Sequence, residues 1–155
     1  IHAALKGPLK LREKSDHFAC MTHIGPSMNH ITECAEDAIK GMLPRALWGR
    51  FMIPSEWDPT RAPTGKRTFC LLVRVPLVPK NENWDNIKEN FADDCIDRLS
   101  EYGFNIKKII IMRHILSPLD CERMNSNFVG GDASVGRITL DQFLSLRPFP
   151  GWSKY

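Results

Sequence analysis

A chain of 155 residues, 43% hydrophobic and 25% charged, has the size and composition of one globular domain with its own core. No run of about 20 apolar residues occurs, which excludes a helical membrane span, and Ile1 to Leu11 has neither the apolar run nor the cleavage site of a signal peptide. A net charge of +3, with Lys and Arg scattered rather than gathered in a stripe, argues against a nucleic-acid surface.

In chain order, the start at Ile1 without Met reads as an internal start of a longer product. Phe18 to Thr22 is a short β-prone run before the turn signal Gly25-Pro26. Ser27 is placed to cap a helix over Met28 to Lys40, which Gly41 and Pro44 end. Phe51 to Ile53 reads as a brief strand, and Pro54 to Thr68, rich in Pro, Gly, Asp and Thr, as a long loop. Phe69 to Val75 is almost continuously apolar, the pattern of a strand buried on both faces.

The clearest helix follows. Trp84, Ile87, Phe91, Cys95, Leu99 and Tyr102 recur at intervals of three and four, which makes a core-facing stripe, with Asn83 as its cap and Gly103 as its stop. Ile109 to Ile115 is a β-branched strand, apolar except for Arg113 and His114. Ser117-Pro118-Leu119-Asp120 carries a cap, a Pro at the first helical position and an acid three residues after the cap. Beyond Gly130-Gly131, Thr139 to Gln142 repeats that pattern ahead of Arg147-Pro148. This order of strands and long helices predicts an α+β fold, a mixed β-sheet covered by helices, in a single domain over 1–155.

The chemical motifs are mostly negative. Thr64-Gly65-Lys66-Arg67-Thr68 resembles a phosphate loop but has Thr60 where Gly is needed and Arg67 where Ser or Thr should follow the Lys. No G-x-G-x-x-G and no G-x-S-x-G occurs. Five cysteines and five histidines sit at no metal-ligand or redox spacing, so no metal is expected. Reduced, packed thiols point to an intracellular and cytoplasmic setting, or a mitochondrial one in a eukaryote.

The far end of the chain is more telling. Ile115-Leu116-Ser117-Pro118-Leu119-Asp120, then Gly130-Gly131-Asp132, then Ile138 to Tyr155 resemble, in order and spacing, the phytoene-desaturase-like FAD-dependent oxidoreductases. The resemblance is strongest to the branch of pyridine nucleotide-disulfide oxidoreductase domain-containing proteins, and it extends upstream to about His17. Val135 departs from the family, which usually has a His before the Gly that is Gly136 here.

The resemblance implies the substrate-binding domain of a longer enzyme, whose FAD-binding domain, carrying the glycine fingerprint, would lie outside these residues. It places Gly130, Gly131, Asp132, Gln142 and Arg147 nearest the flavin of a complete protein, and an apolar small molecule as the substrate. FAD is then expected in the full-length enzyme and not in this chain alone. The rival expectations are a stand-alone module that dimerises or holds an apolar ligand, and a phosphate-dependent enzyme using Lys66 and Arg67.

Overall fold

The computed structural model describes residues 1–10, 20–132 and 139–140. Five strands form one sheet in the order β2-β3-β4-β1-β5. They are β1 (His2–Leu5), β2 (Thr22–Ile24), β3 (Gly49–Met52), β4 (Arg67–Val73) and β5 (Ile110–His114), antiparallel at every described pairing. The helices are α1 (Met28–Ile39), α2 (Pro54–Trp57), α3 (Trp84–Glu101), α4 (Ile106–Ile109) and α5 (Pro118–Met124). The fold is α+β, as the order of elements predicts, but the described sheet is antiparallel throughout rather than mixed.

Local chemistry explains the long helices. The Ser27 hydroxyl accepts the His30 amide at the start of α1, and the Asn83 side chain accepts the Asp85 amide at the start of α3. Ser117 and Asp120 form a reciprocal capping box at the start of α5, with Pro118 in the first turn. Gly103, at φ 94°, lets the chain leave α3 in a left-handed turn.

Strand register divides the sheet into two unlike faces, because residues directly opposite each other point the same way and successive residues point opposite ways. On one face Ala3 lies opposite Phe69, and Phe51 opposite Leu71; these four and Leu5 are buried. Cys95, Ile96 and Leu99 of α3 and Ile106 and Ile109 of α4 complete that core. Phe51 stacks on Phe69 at 5.8 Å and meets Phe104 edge-on at 5.5 Å. Burial of these side chains supplies the main driving force, about 1.5–3 kcal/mol for each large apolar group.

On the other face of the sheet, His2 lies opposite both Cys70 and His114, Ala4 opposite Thr68 and Met112, and Arg50 opposite Leu72 and His23. None of these residues is buried. Here the structure corrects the reading of Phe69 to Val75 as a strand covered on both sides. Leu71 is 1% exposed under the helices, while Leu72, its neighbour on β4, is 40% exposed.

Other boundaries differ for identifiable reasons. β1 went unread because His-Ala-Ala-Leu is short and its partners, Phe69 and Met112, are distant in sequence. Of the strand expected at Phe18 to Thr22, Phe18 and Ala19 lie outside the described residues, Cys20 and Met21 form a bend, and β2 begins at Thr22. Within the expected loop, α2 forms after β3, where the Ser55 amide donates to the Thr68 hydroxyl and the Thr68 amide to the Ser55 hydroxyl, at 3.2 and 3.0 Å. The helix read from Thr139 lies outside the described residues except for Thr139 and Leu140.

Candidate functional site

The bare face carries the most distinctive chemistry of the described residues. A shallow depression of about 250 Å³ is lined there by residues of β1, β4 and β5, among them His2, Ala4, Thr68, Cys70, Met112, Arg113 and His114, and by Pro54. Three adjacent strands build it, because β1 runs between β4 and β5 and sets Cys70, His2 and His114 in one row across the sheet. Met112, 70% exposed, is among its apolar lining. An antiparallel sheet facing water normally alternates apolar with polar side chains. In this sheet Ala4, Met52, Cys70, Leu72 and Met112 share the uncovered side.

The titratable groups respond to that setting. Burial lowers the His2 imidazole below its ordinary range, and positive charge at the Ile1 amino group and at His114 acts in the same direction. Burial raises the half-buried Cys70 thiol, against the pull of the Ile1 amino group and Arg50, so it is a poor thiolate. Cys95, inside the core, is pushed up to about 12, chiefly by burial. Among the described residues no group of three or more His, Cys, Asp and Glu is placed to hold a metal ion.

His114 also borders a second depression of about 320 Å³, with Lys88, Ile115, Leu116, Asp120, Arg123 and Met124. Lys88 Nζ reaches the two Asp120 oxygens at 2.8 and 3.0 Å, and Arg123 spans both Asp85 oxygens at 2.7 and 2.9 Å. Burial alone would raise the Asp120 carboxyl. The Lys88 ammonium and the Ser117 amide and hydroxyl outweigh it and hold that carboxyl at about 2. These ion pairs tie α5 to α3, so this hollow is braced by charges already satisfied.

The residues singled out from the sequence sit elsewhere. Gly130 and Gly131 form a 3-10 turn after α5, both with positive φ, at 63° and 78°. The Gly130 amide donates to the Glu122 carboxylate at 3.2 Å, and the Gly131 amide to the Phe128 carbonyl at 2.7 Å. A Cβ at Gly131 would stand 2.4 Å from Pro118 Cα, and one at Gly130 would stand 2.8 Å from Leu77 Cδ1. Close packing therefore requires these glycines, and their amides are spent within the protein. A flavin phosphate needs amides that are open to it, so this turn does not fit one. Asp132 is exposed at the end of the turn, and none of the three residues lines either depression. Gln142 and Arg147 lie outside the described residues.

Lys66 and Arg67 do not assemble a phosphate site either. Arg67 is engaged by Glu56 at 2.6 Å and by the Lys66 carbonyl at 2.8 Å, while Lys66 points from an exposed turn. Among the described residues no helix is long and apolar enough to cross a membrane. The depression itself was invisible in the sequence: His2, Cys70 and His114 share no local pattern, and only strand register unites them.

Fold and site together define, among the described residues, an α+β domain that buries one side of an antiparallel sheet and leaves an apolar, imidazole-bearing side open. No family model matches the chain. It is similar to pyridine nucleotide-disulfide oxidoreductase domain-containing protein 2 of Rattus norvegicus, at 32% identity over 143 residues. The protein of the same name in Mus musculus is 30% identical over the same length. Each match covers 90% of this chain and 24% of the relative, so the chain spans about a quarter of the length of these oxidoreductase-domain proteins.

Proposed function

We propose that this chain is the substrate-side domain of a longer FAD-dependent oxidoreductase of the phytoene-dehydrogenase-like kind. In this reading the bare sheet face is one wall of a cavity that the flavin-binding remainder of the polypeptide closes. The observation that carries it is the face of β4, β1 and β5 where, among the described residues, no helix lies over Cys70, Leu72, Ala4 and Met112. An apolar wall of this type suits an apolar substrate, with a few polar groups to fix its orientation. The similarity to oxidoreductase-domain proteins four times as long supports a second part that meets this face.

Bound FAD supplies the hydride acceptor. This chain positions the substrate and keeps water out. The flavin is held by sequence outside it, and Gly130, Gly131, Asp132, Gln142 and Arg147 approach the flavin only in the assembled protein. Dialysis of the purified chain against buffer after mixing with FAD is expected to leave no visible flavin absorbance. Retention of one flavin per chain would refute this division of labour. In the full-length protein, Met112→Glu is expected to impair turnover while flavin content stays unchanged.

The same bare face favours a second reading, a stand-alone module in which a second copy covers the sheet. Light scattering separates the two: a dimer that Leu72→Glu dissociates supports the module, and a monomer supports the substrate wall.

A further inference from the structure

The open side of the sheet is apolar at its centre, and its charge-bearing groups are all basic. Among the described residues, its strand positions hold His2 on β1, His23 on β2, Arg50 on β3 and His114 on β5, and no Asp or Glu. Asp93 and Glu89 of α3 engage Arg113, whose side chain points to the covered face beneath this same sheet. Against His114 on its other flank stand Lys88, Asp120 and Arg123, and the Asp120 carboxylate is occupied by Lys88 and Ser117. Across β1, His2 faces the neutral Cys70 thiol, and the Ile1 amino group lies near both.

We propose that the substrate seated on this wall is an amphipathic acid, its hydrocarbon body lying on Ala4, Met112 and Pro54 and its anionic head meeting the His2–His114 pair. The proposal rests on the reading of the bare face as a substrate wall, and it adds the charge of the substrate. Charge complementarity carries it: a neutral hydrocarbon needs no cluster of imidazoles in its depression, and a cation would be repelled by Arg50 and by either imidazole once protonated. Burial, and then the positive Ile1 amino group, lower the His2 imidazole. An incoming carboxylate favours the protonated ring, so binding draws in a proton. Affinity for the acid therefore rises as pH falls through the imidazole range, while affinity for an uncharged analogue does not.

The test titrates the full-length protein, with its flavin-binding remainder, by calorimetry with decanoate, decan-1-ol and decylammonium, at about pH 6 and about pH 8, on either side of the ordinary imidazole value. Decanoate is expected to bind about fivefold more tightly than decan-1-ol at the lower pH, the size of a partly exposed ion pair, with the preference shrinking at the higher pH. Imidazole proton resonances give a second readout, with the His2 midpoint moving up with decanoate and not with decan-1-ol. The double variant His2→Gln, His114→Gln is expected to lose the preference and keep the alcohol affinity. Equal affinity for acid and alcohol at both pH values, or tightest binding of the ammonium, overturns the acidic substrate and leaves the wall standing. If none of the three binds, both fall.

Discussion

The two sides of the sheet use the same strands to opposite ends. Leu71 and Leu72 are consecutive residues of β4 with the same side chain, yet one is sealed beneath α3 and the other meets solvent. Helix α3 brings a stripe of apolar residues to one side only, and α4 packs there with it, while among the described residues no long helix packs on the second side. The lesson is that a continuous apolar strand reports how many surfaces are meant to be dry, and this domain dries only one of them within the described residues.

Substitutions that sample the two sides should behave very differently. The largest effect is expected at Leu71→Ala, about 3 kcal/mol by the usual cost of emptying a packed core site, measured by urea unfolding. Next is Gly131→Ala, at about 2–3 kcal/mol, because the new methyl meets the Pro118 backbone and the position needs a positive φ. A loss under 0.5 kcal/mol would show that the turn can give way. Asp120→Asn should cost about 1–2 kcal/mol through the capping box and the Lys88 pair.

The pH dependence of Asp120 has a definite sign. Its carboxyl sits at about 2 in the folded protein, below the ordinary unfolded value of about 3.9. The stability it confers is therefore present above about pH 3.9 and is lost as pH falls toward 2. Acid titration of the wild type against Asp120→Asn should show the two curves converging in that window. The smallest effect is expected at Leu72→Ala, within about 0.5 kcal/mol, since that side chain already faces water. A cost near that of Leu71→Ala would mean that something in solution covers the open side.

The parts of this fold that could be read from the sequence are those whose causes are local. Ser27, Asn83 and the Ser117–Asp120 pair announce their helices because a cap needs only its own first turn. The stripe from Trp84 to Leu99 likewise follows from one period, although Tyr102 at its end is 42% exposed. The short strand β1 is different: Ala is a poor strand former, and His2 to Leu5 becomes a central strand only because β4 and β5 flank it. The row Cys70–His2–His114 inherits that dependence, which is why the candidate depression could not be seen beforehand. The glycine pair shows the converse. It stands out in sequence, but what it records is contact with Pro118 and Leu77, since its amides are already engaged.

That contact also sets where the protein can be cut. The Gly131 backbone rests on Pro118, Gly130 donates to Glu122, and Lys88 and Arg123 fasten α5 to α3. The stretch from Ser117 to Asp132 is therefore one mechanical unit clipped to the end of the longest helix. Proteases should find their first sites outside it, and any shortened version must keep it whole.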